Sequence, residues 1–172
     1  MNLNLNNILK ELYSPNPISR IDLILPEIHN DVKLIEELVN YSFSNNKEAW
    51  RVSWLLSKYS EKYPNSLKKY TEKFIENSKN LKIDGHLRQN LRIIFFLDLN
   101  EEELGEIFDI CLNIFQDNKR QSSLRCIAFQ ILLKNTQNYP ELKSELISIF
   151  ENHKDYLTTE IKSSITKKII TC

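Results

Sequence analysis

KEAWRVSWLLSKYSEKYP, residues 47–64, carries its apolar residues at helical spacing. With Ala49 as origin and 100° per residue, Val52, Leu56, Tyr59 and Tyr63 fall at about 280° to 340°, a single core-facing stripe. Arg51, Lys58 and Lys62 lie opposite, at about 180° to 220°, while Trp50 and Trp54, at about 100° to 140°, flank that basic side. The stretch is therefore a core helix before it is anything else. It ends on Tyr63-Pro64, and the same ending recurs downstream: SEKYPNSLKKY at 60–70 is followed by TQNYPELKSEL at 136–146. A long apolar helix closed by Tyr-Pro is one copy of a repeated unit.

Outward from this helix, 3.6-residue periodicity covers most of the chain and is broken at short intervals. The pattern predicts ten helices, at 3–13, 17–29, 31–44, 47–63, 65–79, 85–98, 101–117, 119–138, 140–152 and 158–170. Ser14-Pro15-Asn16-Pro17 stops the first and gives the second a proline in its opening turn. Asn100 before Glu101, Glu102 and Glu103 reads as a helix start, with an amide side chain for the free N–H groups and carboxylates at the positive dipole end. Pro64 and Pro140 are placed to open the helices after them. Two glycines in 172 residues leave too little turn chemistry for an all-β chain. With 41% apolar and 27% charged residues and no Pro/Gly/Ser linker, the chain reads as a single all-α domain over 1–172.

A second marker sets the register. A basic residue recurs in Ser19-Arg20-Ile21, Trp50-Arg51-Val52, Leu91-Arg92-Ile93, Leu124-Arg125-Cys126 and Ile161-Lys162-Ser163, at steps of 31, 41, 33 and 37 residues. This spacing fits antiparallel helix pairs stacked into a right-handed α-α superhelix of four to five pairs, with the terminal helices as caps. Over nearly its full length the chain resembles the HEAT/armadillo-like α-solenoids. Those repeats typically set an Asp about six residues before the basic residue of the second helix. Here Asn45, His86 and Lys119 hold that place before Arg51, Arg92 and Arg125, while Asp84 and Asp117 stand eight residues ahead, so the ladder is irregular. The chain is also similar to short bacterial HEAT-like proteins that sometimes carry the name adenylosuccinate lyase. It has neither the Gly-Ser-Ser-rich loop nor the Met-Pro-x-Lys-x-Asn motif of that enzyme, so lyase activity is not expected.

Net charge is zero but unevenly distributed: −3 over residues 1–46, +6 over 47–92, −7 over 93–118 and +4 over 119–172. Alternating blocks exclude a uniformly basic nucleic-acid binder and allow a local basic surface mid-chain. Cys111, Cys126 and Cys172 share no metal-ligand spacing and are odd in number, which points to a reducing compartment. MNLNLNNILK has no charged n-region leading into an apolar h-region, and the longest apolar run is Ile93 to Leu97, far below the roughly 20 residues of a membrane span. A cytoplasmic location is the expectation.

Catalytic signals are missing throughout. His29, His86 and His153 are far apart and sit near predicted helix ends, and two glycines build neither a phosphate loop nor a nucleophile elbow. Glu101, Glu102, Glu103, Glu106 and Asp109 diverge around a helix start and make a poor metal cage. Neither an enzymatic activity nor a metal or other cofactor is expected. The candidate binding surface is Trp50, Arg51, Trp54, Lys58, Arg88, Arg92 and Arg125, a basic and aromatic ridge along the second helices. Two alternatives stand for these residues: they bridge neighbouring repeats, or they face the concave surface. The resemblance implies a protein or peptide partner on that surface and no membrane. Its second implication is nucleic acid, because alkylpurine glycosylases share a HEAT-like fold and work through concave aromatic and basic residues. The acidic 93–118 block and the lack of a matching catalytic Asp motif weigh against it.

Overall fold

A computed structural model describes residues 3–14, 18–136 and 139–171. Pro15 to Pro17 and Cys172 lie outside the described residues. Among those described there are no strands, and ten α-helices run in sequence: Leu5–Leu12 (α1), Ile18–His29 (α2), Val32–Ser42 (α3), Ala49–Lys62 (α4), Thr71–Asn80 (α5), Asp84–Phe95 (α6), Glu101–Gln116 (α7), Ser122–Asn135 (α8), Pro140–His153 (α9) and Thr159–Thr171 (α10). Each matches one of the ten expected from periodicity. Within pairs, α3 packs on α4, α5 on α6 and α7 on α8. Between pairs, α4 packs on α6, α6 on α8 and α8 on α10, while α5 packs on α7 in a second layer. This is a two-layer stack of helix pairs, an all-α solenoid.

The core seam is the stripe foreseen in 47–64, but wider. Val52, Leu55, Leu56 and Tyr59 are fully buried and Tyr63 is half-buried. A row of serines on the neighbouring arc of α4 faces α6. Ser53 Oγ lies 2.8 Å from His86 Nε2, and Ser57 Oγ lies 3.1 Å from Gln89 Oε1. Small polar side chains let the two helices approach while satisfying one another's buried groups. In α5–α6 the same task falls to Asn90, whose amide donates to the Phe74 carbonyl at 2.7 Å and to Ser78 Oγ at 2.6 Å.

His86 gives this seam a pH dependence. Burial holds its imidazole below the usual histidine range, opposed in part by a hydrogen bond to the Ser42 backbone. The unfolded histidine charges near pH 6.5 and the folded one only below that, so the unfolded chain binds more protons as pH falls. Stability is intact above about pH 6.5 and declines beneath it. The urea midpoint of the wild type is expected to drop more steeply between pH 7 and 5 than that of His86→Gln. Parallel profiles would refute the assignment.

Helix boundaries follow local chemistry in two of three places. Asn100 and Glu103 form a reciprocal capping box at the start of α7: the Asn100 side chain accepts from the Glu103 N–H at 2.9 Å, and Glu103 Oε2 accepts from the Asn100 N–H at 2.8 Å. Pro140 opens α9. Pro64 does not open α5, which begins only at Thr71 after a short 3-10 turn at Lys68–Tyr70. The reason lies across the loop edge. Asn65 adopts a positive φ of 65° and exchanges side-chain hydrogen bonds with Asp98, donating to Oδ2 at 2.6 Å and accepting from the Asp98 N–H at 2.7 Å. That tie to the next inter-repeat loop takes the segment out of the helix. On the opposite edge Asp84 accepts from Arg120 at 2.7 Å and from the Gln121 N–H at 2.8 Å, a single aspartate rung that runs to Arg120 in the next turn.

Candidate functional site

The layer formed by α4, α6, α8 and α10 carries a groove of about 540 Å³. Its cationic wall is Arg88 and Arg92 on α6 with Lys168 on α10. Phe95, Phe96, Ile127 and Ile161 supply the apolar surface, and Glu61 at the end of α4 is its one carboxylate. Arg88 and Arg92 share a face because they are four residues apart on a helix, and Phe95, three further on, falls beside them. Two lysines then reach the Phe95 ring: Lys134 Nζ lies 5.3 Å and Lys168 Nζ 5.9 Å from its centroid. Lys134 also donates to the Phe95 carbonyl at 2.8 Å, and partial burial pushes its pKa down.

The seven residues singled out from the sequence separate into three settings. Arg88 and Arg92 line the groove, and Lys58 joins its rim through Glu61, whose Oε2 takes Lys58 at 2.9 Å and Arg92 at 3.4 Å. Trp54 is half-buried and packs against the core. Trp50, 40% exposed, and Arg51 form a separate cluster at the edge. The Arg51 guanidinium lies over the Trp50 and Tyr13 rings, 4.7 Å and 5.0 Å from their centroids, pairs with Glu48 at 2.9 Å and donates to the Leu12 carbonyl at 3.3 Å. It ties α1 to α4.

Arg125 departs from the ridge altogether. It is 0% exposed, donating from Nε to the Phe115 carbonyl at 2.7 Å and from Nη1 to the Tyr156 carbonyl at 3.2 Å. Its surroundings are the last turn of α7 and the turn before α10, so it belongs to the core. The physical reason is that α8 lies between α6, α7, α9 and α10 and has no solvent face at that position.

Phe95 and Phe96 depart in the other direction. Ile93 to Leu97 reads as a run buried on all sides, yet both phenylalanines are half-buried and front the groove. Their signal was available: on a 100° wheel Phe95 falls within about 60° of both Arg88 and Arg92.

The arrangement offers binding chemistry. Cys126 borders the groove, but burial pushes its thiol pKa up, and burial raises that of Cys111 further. Neither is poised as a nucleophile. His29 stacks on Tyr63 with centroids 4.0 Å apart and meets the Tyr59 hydroxyl at 2.9 Å, and His153 meets Asn118 at 3.3 Å. Among the described residues no three His, Cys, Asp or Glu side chains gather as metal ligands, and no helix is long and apolar enough to cross a membrane.

No curated protein and no solved structure matches the chain. A family model does: that of the HEAT repeat domain, over residues 8–171. With paired helices stacked in two layers and the match spanning nearly every repeat, the chain belongs to the HEAT repeat domain family.

Proposed function

We propose that this protein is a non-enzymatic interaction module that holds a protein segment along the α4–α6–α8–α10 layer. The carrying observation is the groove itself, which is lined from four alternate helices of one layer and combines aromatic surface with cations. HEAT repeats are in general protein-interaction scaffolds, and arginines beside aromatic rings are the composition of binding hot spots. Arg88, Arg92, Phe95, Phe96 and Lys168 form the centre of the proposed surface, with Lys58 at its rim. Trp50 and Arg51 extend it along the edge.

Photo-crosslinking in cells tests this reading. A benzophenone amino acid replacing Gln130 in the groove is expected to capture protein, and the same probe replacing Asp109 on α7 is not. Capture is expected to disappear with Arg88→Glu/Arg92→Glu. Equal capture at both positions, or capture insensitive to the charge reversal, would remove the groove as the binding site.

Nucleic acid is the second reading, favoured by the same cations next to Phe95 and Phe96, which offer base-stacking surface. Glu61, the carboxylate inside the groove, opposes it. A gel shift with single-stranded DNA over a salt series decides, since phosphate-dominated binding weakens steeply as salt rises. No shift at low salt eliminates it.

A further inference from the structure

The groove's cations have fewer carboxylate partners than the cations that bridge repeats elsewhere. Lys68 meets Glu103 at 2.8 Å, Lys79 meets Glu106 at 2.9 Å and Arg120 meets Asp84 at 2.7 Å. In the groove, Arg88 donates to the Ser123 hydroxyl at 2.9 Å, Lys168 to the Gln130 amide oxygen at 3.1 Å and Lys134 to a backbone carbonyl. Among the described residues none of these three has a carboxylate within ion-pairing distance. Arg92 has only Glu61, at 3.4 Å, longer than the usual 2.7–2.9 Å of a charge-assisted bond, and Glu61 sits closer to Lys58. Five cations, Lys58, Arg88, Arg92, Lys134 and Lys168, thus have one ion-paired carboxylate, Glu61, and a more distant one, Asp98 near Lys134, around a floor of Phe95, Phe96, Ile127 and Ile161.

Resting on the reading of the groove as a protein-binding surface, we propose that its partner is an acidic segment with apolar side chains, and that Glu61 occupies in the free protein the place of one partner carboxylate. Arg88 and Arg92 are one helical turn apart, a rise of about 6 Å. Carboxylates at i and i+4 of a helix, or at i and i+2 of an extended chain at about 6.6 Å, meet both arginines. An apolar side chain of the same segment covers the exposed face of Phe95 and Phe96, and the lysines around Phe95 take a further carboxylate. Lining cations that outnumber their carboxylates favour an acidic partner over a basic one by sign alone. A peptide fits better than a polynucleotide. Glu61, inside the groove, repels a continuous phosphate backbone, while an acidic peptide places its few charges only where cations stand.

Glu61 makes the proposal testable with a gain of binding. The probes are fluorescein-labelled twelve-residue peptides, three repeats of Glu-Glu-Leu-Phe against three repeats of Gln-Gln-Leu-Phe and of Lys-Lys-Leu-Phe, with a twelve-nucleotide oligo-dT strand as the phosphate control. Fluorescence anisotropy is read on the full chain at low and moderate salt. The acidic peptide is expected to bind at least about tenfold tighter than either peptide control and to weaken about tenfold with Arg88→Ala/Arg92→Ala. Glu61→Gln is expected to tighten it about threefold by releasing Arg92 and Lys58. Equal binding of the Gln-Gln-Leu-Phe peptide, no change or a loss with Glu61→Gln, or tighter binding of oligo-dT would each overturn the proposal. The two readings fail separately. Crosslinking at position 130 that persists undiminished by excess acidic peptide sinks the acidic partner alone, whereas no groove-specific crosslinking sinks the binding surface itself.

Discussion

Arg125→Ala is expected to lower the melting temperature by about 10 °C. The side chain is fully buried, and its guanidinium joins two turns distant in sequence through the Phe115 and Tyr156 carbonyls. The cation is tolerated there because Phe115 lies in the last turn of α7, the negative end of that helix dipole, Asp117 adds a nearby negative charge, and the guanidinium sits 5.3 Å from the Phe115 ring centroid. Removing it strands the buried Phe115 carbonyl, at about 1–3 kcal/mol, costs less at the part-buried Tyr156 carbonyl, and leaves a cavity. Release of a desolvated charge, one of whose nitrogens has no partner, offsets part of this. The net is about 3–4 kcal/mol, and a chain of this size shifts by roughly 2–4 °C per kcal/mol. Arg125→Met refills most of the volume without the donors, so it is expected to recover part of the loss and no more. Thermal melts followed by circular dichroism check both variants. An Arg125→Met protein as stable as the wild type would mean that the residue only fills space.

Arg125 also marks where the sequence stopped being legible. Arg51, Arg92, Arg125 and Lys162 mark the repeat register in the sequence, yet they have four fates. Arg51 clamps an edge, Arg92 lines the groove, Arg125 enters the core and Lys162 pairs with exposed Asp155. Helical spacing fixes which side of a helix a residue takes, but its neighbour depends on the packing of the next pair, which no local pattern encodes. The helices themselves are legible because their causes are local: apolar spacing, the Asn100–Glu103 cap, Pro140. The delayed start of α5 is not, since Asn65 is held by Asp98, 33 residues away. The groove was half legible. Arg88 and Arg92 declare a shared face by their own spacing, whereas Lys134 and Lys168 reach Phe95 from other helices. An unbroken apolar run concealed the exposure of Phe95 and Phe96.

Phe129→Ala is expected to cost about 3–5 kcal/mol, the usual range for a fully buried aromatic. Phe129, 0% exposed on α8, packs between Phe115 of α7 and Phe150 of α9, with ring centroids 4.8 Å and 5.6 Å away. The Phe115 contact lies within the α7–α8 pair, and the Phe150 contact is the aromatic joint from that pair to the next. In a stacked array each pair meets only its neighbours, so stability approximates a sum of local and interface terms. Loss of this joint therefore acts unevenly along the chain. Amide exchange is expected to accelerate most in α9 and α10, which lose their hold on α8, and least in α3 and α4 at the far end of the stack. Phe129→Leu keeps most of the volume and is expected to fall between the two proteins. A uniform loss of protection across all ten helices would show that the chain unfolds as one cooperative block, and the nearest-neighbour account would fail.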